Sequence, residues 1–100
     1  MTLDFFYNNY NFDDIDINKI YIKDNKLYIF GIYNVYLELI ANGYRPEMNM
    51  DLNKTFVFNV NHNDHKFKLP CNVKYNKDGN DYYIMINDLK LDIFGEIEIL

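Results

Sequence analysis

The sequence predicts an all-β domain, an antiparallel β-sandwich or meander of six to seven strands with at most one short helix. Three observations carry this. Several segments alternate apolar with polar residues, the period-two pattern of strands that bury one face. Turn residues punctuate those segments at near-even spacing, as in sandwiches and meanders. Composition agrees: ten Tyr and eight Phe stand beside a single Ala, so the residues that fit pleated surfaces abound while the best helix former is almost missing.

The elements follow in order. Met1 to Tyr10 is aromatic and Asn-rich and reads as a short helical turn or an irregular arm over one end of the core. Phe12, Asp13, Asp14 and Asp16 lead into a first strand over Ile15 to Lys23. Its apolar positions shift from odd (Ile15, Ile17) to even (Ile20, Ile22), so a β-bulge is expected near Asn18-Lys19. Asp24-Asn25 makes a tight turn, because both residue types tolerate φ > 0. The strand from Lys26 is apolar on both faces: Leu27 and Ile29 on one, Tyr28 and Phe30 on the other. A central or doubly covered place is expected for it. Asn34 to Gly43 admits two readings. Val35, Leu37 and Leu39 alternate as in a strand, while Asn34 and Gly43 fit the caps of a helix; the alternation favours a strand. Tyr44 to Lys54 reads as a loop containing Pro46.

Phe56, Phe58 and Val60 mark another strand, and His62 to Asp64 a polar turn. Phe67, Leu69, Cys71, Val73 and Tyr75 alternate with Lys66, Lys68, Pro70, Asn72 and Lys74. Pro70 has no N–H for a ladder, so this segment reads as one edge strand or a bulged one, its lysines discouraging edge pairing. Asp78-Gly79 is a hairpin turn. Tyr82, Ile84 and Ile86 form the strand beyond it, and Asn87-Asp88 turns again. In the last strand Leu89, Leu91, Ile93, Ile97 and Ile99 alternate with Lys90, Asp92, Phe94, Glu96 and Glu98, with Gly95 in the remaining inward slot. The chain therefore ends on a buried aliphatic row backed by a mostly acidic one.

Length and charge bound the function. One hundred residues make a single β-rich domain over 1–100, able to bury a core without metal or disulfide. The net charge is -5, and Lys and Arg form no run along the sequence. Direct binding to DNA or RNA is therefore not expected; an acidic surface suits a basic protein partner, and also serves solubility. The lone Cys71 allows no internal disulfide and sits in an inward row. The first residues resemble no signal peptide, and no stretch approaches the roughly 20 apolar residues of a membrane span. A cytoplasmic protein is expected, in a bacterium, or in host cytoplasm if a phage encodes it.

Catalytic chemistry is poorly supplied. Without Ser there is no serine nucleophile, the four glycines form no phosphate loop, and Arg45 stands alone. No nucleophile, base and orienting group come together, so no enzyme activity is expected. His62, Asp64 and His65 lie around one turn, but a polar hairpin tip explains them better than a metal site. Asp13, Asp14 and Asp16 lack the alternating ligands and glycine of a calcium loop. No metal and no cofactor are expected. The tyrosines exceed what a small core holds. Tyrosine favours interface hot spots, and it also stabilises sheets by cross-strand pairing.

The stretch Phe12-Asp13-Asp14-Ile15-Asp16-Ile17, followed by Ile20 and Ile22, resembles the opening of small β-rich immunity proteins from bacterial polymorphic toxin systems. The Pro-bearing middle loop and the hairpins closing on an alternating strand are similar too. The resemblance implies an inhibitor of one cognate toxin without catalytic residues. A phage-encoded anti-defence inhibitor, anti-CRISPR-like in covering a basic nucleic-acid-binding surface, fits the same physical description, and a self-associating structural protein or homodimer is a third reading. In the third reading a tyrosine-rich sheet face pairs with copies of itself; for an inhibitor the expected partner-binding residues are Asp13, Asp14, Asp16, Tyr28, Tyr83, Asp92, Phe94, Glu96 and Glu98, and the expected foreign partner is a basic toxin or defence nuclease.

Overall fold

The computed structural model describes residues 1–38 and 47–100, with side chains for all of these except 14, 34–38 and 47–50. These residues form a short helix α1 (Leu3–Asn9), a 3₁₀ turn (Phe12–Asp14) and seven strands: β1 (Ile15–Lys23), β2 (Lys26–Glu38), β3 (Glu47–Val60), β4 (His65–Lys66), β5 (Val73–Asp78), β6 (Asp81–Ile86) and β7 (Leu89–Ile99). All seven belong to one antiparallel sheet of order β4-β1-β2-β3-β7-β6-β5. The all-β class and the single short helix agree with the sequence; of the two architectures expected, the molecule is one sheet, not a sandwich.

The connections force that sheet to curl. β4 and β5 lie at opposite edges, yet only 67–72 join them. Six strand spacings of about 4.8 Å would put the edges of a flat sheet about 29 Å apart. The link reaches about 25 Å at full extension. The sheet therefore wraps, and its concave side holds the core. Leu27, Ile29, Phe56, Phe58, Val60, Ile84, Ile86 and Ile97 are buried there.

Phe6 on α1 is the plug of that concave side. It is 0% exposed, and its ring lies 5.4 Å from Phe58, 5.5 Å from Phe56, 5.6 Å from Phe12 and 5.1 Å from Tyr75. A helix of seven residues does not persist alone; capping and docking hold this one. Thr2 Oγ1 accepts from the Phe5 N–H at 3.1 Å, the usual N-cap role of threonine. Tyr75 donates its hydroxyl to the Leu3 carbonyl at 2.9 Å. Ahead of the helix, Met1 and Ile97 exchange backbone hydrogen bonds of 3.1 and 2.8 Å.

The turns obey their chemistry. Asp24 and Asn25 have φ of 53° and 59°, the signs a two-residue hairpin loop requires. The polar turn after β3 packs on them: Asp64 Oδ1 accepts from the Asp24 N–H, and Asn25 Nδ2 donates to the His62 carbonyl. The bulge expected in β1 is present, between Ile17 and Lys19. The β5–β6 loop residues are Gly79 and Asn80, one position beyond the expected Asp78-Gly79.

Three expectations are corrected. The alternating run from Lys66 to Tyr75 is not one strand. β4 pairs with β1 and β5 with β6, and the intervening segment crosses between sheet edges, leaving Leu69 exposed. Residues 47–54, read as loop, belong to β3, because the long β2 supplies them with a partner down to the Glu38↔Glu47 rung. Gly95 does not hold an inward slot. It is exposed with φ of 69°, at the point where the β3–β7 register shifts between Val57 and Asn59. Asn59 Nδ2 ties that bulge down by donating to the Phe94 and Glu96 carbonyls. The strand favoured from Asn34 is β2 as far as Glu38; 39–46, with Tyr44, Arg45 and Pro46, lie outside the described residues.

Candidate partner-binding face

Because side chains alternate along each strand, the described strand side chains that do not face the core face the convex side of the sheet. Register lines these outward residues up. Tyr21, Tyr28, Val57 and Glu98 form one continuous rung across β1, β2, β3 and β7. Lys19, Phe30 and Thr55 form the next on one side. Lys23, Lys26, Asn59 and Phe94 form one on the other. Tyr83 on β6 stands opposite Asp92 on β7.

This face is more apolar than the wet side of a sheet usually is. The Tyr21 and Tyr28 rings stack at 5.0 Å and 19°, and Tyr21 and Phe30 at 5.9 Å and 23°. Val57 is 5% exposed although it points away from the core, because its neighbours on the rung shelter it. At the other end Phe94 is 53% exposed. Tyr83, Asp92 and Phe94 line a shallow cavity of about 460 Å³ together with Asp78, Asp81 and Lys90. The Lys90 ammonium sits 4.5 Å from the centre of the Tyr83 ring, a cation–π contact.

Six of the nine residues expected to bind a partner thus lie on the β2, β6 and β7 parts of this face: Tyr28, Tyr83, Asp92, Phe94, Glu96 and Glu98. Glu96 faces a neighbour, its carboxylate lying 4.0 Å from the Met1 amino group. The acidic stretch at the first strand stands apart. Asp16 is on the outer face but in the rung of Ile32, near the far end of β1. Asp13 is in the 3₁₀ turn and borders a groove of about 550 Å³ between the end of α1 and the β5 edge. Asp14 lies in the same turn. The structure does not bring these three beside the β7 acids.

Sequence reading missed two parts of the surface. One is the acids Asp78 and Asp81 flanking the β5–β6 turn, which join Asp92 and Phe94 at one cavity. The other is a group of lysines, Lys19, Lys23, Lys26 and Lys66, scattered in the sequence but gathered by β1, β2 and β4. Their outward parity was readable; their adjacency depended on strand order.

Away from this face, Asp4, Lys77 and Tyr82 pair with one another. Tyr82 donates to Asp4 Oδ1 at 2.6 Å and Lys77 lies 3.6 Å from the same oxygen. The Tyr82 hydrogen bond, with Lys77 adding its charge, holds the Asp4 carboxyl below its ordinary range, and the same bond pushes the Tyr82 phenol up. Burial raises the Tyr75 phenol and the half-buried Cys71 thiol. The His62 and His65 rings are 6.2 Å apart, and His65 packs edge-on to Phe67 at 4.5 Å. Among the described residues no three His, Cys, Asp or Glu side chains group as metal ligands, and no helix is long and apolar enough to cross a membrane. Comparison of the chain with protein-family models, with characterised proteins and with solved structures finds no match.

Proposed function

We propose that this protein is a small inhibitory binder of the immunity type, which lays the β6–β7 half of its outer face on a basic partner protein such as a toxin. The observation that supports the reading is one surface: Phe94 stands exposed among Asp92, Glu96 and Glu98, with Tyr83, Asp78 and Asp81 beside it. An exposed aromatic anchor ringed by charge is the composition of a binding hot spot. The reading assigns the protein no reaction. It acts by covering a surface, and the stitched helix and paired strands keep that surface rigid, so little ordering cost falls on association.

Charge-led interfaces associate quickly and weaken with salt, while buried anchors set dissociation. The wild-type protein used as bait in lysate of its native host is expected to retain a basic protein that the Asp92→Lys, Glu96→Lys, Glu98→Lys variant does not. With that protein purified, the triple variant should associate more slowly and lose most of its salt dependence. Phe94→Ala should instead speed dissociation. Equal capture by wild type and triple variant would place the interface elsewhere. Recovery of nothing but the bait itself would refute a foreign partner.

A further inference from the structure

The outer face is charged at both ends, with opposite signs. Lys19, Lys23, Lys26 and Lys66 stand on β1, β2 and β4; among the described outward side chains of those strands Asp16, at the far end of β1, is the one acid, and Asp24 and Asp64 stand in the adjoining turns. Asp92, Glu96 and Glu98 stand on β7, with Lys90 in the same row and the Met1 amino group 4.0 Å from Glu96. Between the two ends lie Tyr28 and Val57, apolar and without a charge. No element among the described residues covers this face. None of the four lysines makes an ion pair among the described residues; Lys19 lies over the Tyr21 ring at 5.3 Å instead.

From this we infer that the face is self-complementary and that its second occupant is another copy of the same chain, packed face to face about a two-fold axis. The axis follows from the charge pattern. A two-fold lying across the strands would set lysines on lysines and acids on acids. A two-fold in the interface plane, parallel to the strands and between β2 and β3, exchanges the ends. It sets Tyr28 against Val57 of the second copy and Tyr21 against Glu98 of the second copy. Lys23 then meets Phe94 of the second copy, between Asp92 and Glu96 of that chain, a cation–π contact flanked by two carboxylates. Every contact occurs twice, as an isologous interface requires.

The curl of the sheet suits this arrangement. Two convex faces touch at their middles and part toward their flanks. Here the middle carries the flat Tyr28 and Val57, and the flanks carry Lys and Glu, whose long stems reach across a widening gap. The contact is small. Four strands at about 4.8 Å by five rungs at about 3.4 Å is a patch on the order of 300 Å² in plan, or about 600 Å² over the two faces, below the roughly 1,200 Å² at which stable specific interfaces begin. The dimer is therefore weak and reversible, and its acids are the ones the inhibitory reading gives to a foreign partner. Self-association and partner binding compete, but the lysines serve only the first.

Sedimentation of the full chain from about 1 μM to about 1 mM, a range chosen to bracket weak association, tests the inference. A monomer–dimer equilibrium that weakens with salt is expected. Lys19→Glu with Lys23→Glu should raise the dimer dissociation constant about tenfold or more, and so should Glu96→Lys with Glu98→Lys. Mixing the two variants should restore a dimer, now a heterodimer, because each supplies the sign the other has lost. Far-UV circular dichroism checks that both variants keep their fold. A monomer across the whole range overturns the inference, as does a dimer that ignores both reversals. The lysine variant separates this inference from the function proposed above. It should lose self-association and still capture the basic partner.

Discussion

Phe6 fastens the helix to the sheet and the sheet to itself. Its ring touches side chains from the 3₁₀ turn, β3 and β5, elements that no backbone ladder joins directly. Truncation to alanine removes a fully buried ring and leaves a cavity whose walls are other large aromatics that collapse poorly into the gap. Phe/Trp→Ala changes of this kind cost about 3–5 kcal/mol, a large part of the roughly 5–15 kcal/mol that holds a domain together. Phe6→Ala should lower the urea midpoint accordingly, or leave the chain unfolded in water. Phe5 is the internal control. It is the preceding residue of the same helix, 52% exposed, and Phe5→Ala should stay within about 0.5 kcal/mol of wild type. Equal effects at the two positions would contradict the packing described here.

At the scale of elements, α1 is too short to stand alone, and its fastening is sensitive to pH. Asp4 accepts from Tyr82, which keeps its carboxyl ionised to lower pH than in the unfolded chain. A carboxyl depressed by folding stabilises the fold above its unfolded pKa, near 4, and that contribution disappears as pH falls through the lower folded value. The tyrosines act in the opposite direction. Tyr75 and Tyr82 are raised by folding, so they stabilise below their unfolded pKa near 10, and the contribution is lost as pH climbs toward the folded values. Tyr82→Phe removes the donor, so its melting temperature should fall less steeply than wild type between about pH 4 and pH 2. An unchanged slope would show that the hydrogen bond does not persist in solution.

The same scale shows what sequence can and cannot convey. The bulge in β1 was legible because the apolar parity of Ile17 and Ile20 differs, and parity is a property of one strand. The break between β4 and β5 was illegible because parity survives it. Phe67 and Cys71 still pack toward the core while the backbone changes partner from β1 to β6. Met48, Met50 and Leu52 alternate with Asn49, Asp51 and Asn53, a strand signal that the nearby Pro46 and the methionines obscured. For the candidate site, each outward residue of β7 was readable from its own strand. The rung of Tyr21, Tyr28 and Val57 required knowing that β1, β2 and β3 are neighbours, and the lysine end required knowing that β4 returns to β1. Strand order is a long-range fact, and one sequence carries it only weakly.

The whole molecule is longer than its residue count implies. Its radius of gyration is 15.5 Å against roughly 13 Å for an ordinary 100-residue domain. β2 and β3 account for this: their ladder runs on through five rungs, from Asn34↔Asp51 to Glu38↔Glu47, beyond the reach of β1 and β7. The rest is closed by contacts between distant parts of the chain. Met1 pairs with Ile97, Thr55 with Leu100, and Tyr75 holds Leu3. Each such contact pays its loop-closure entropy before any neighbouring pair can reward it. The three-stranded units β1–β2–β3 and β5–β6–β7 can each form locally, but Phe6 has no bed until β3 and β5 have been brought together, and β3 meets β5 only through β7 and β6. Refolding should therefore take milliseconds to seconds, as in other domains dominated by non-local pairing. The helix should be protected no earlier than the β3–β7 ladder. Stopped-flow tyrosine fluorescence gives the rate, and pulsed hydrogen exchange gives the order. Refolding within microseconds, or early protection of Phe6 and Tyr10 amides, would mean that the helix nucleates the fold and does not arrive to close it.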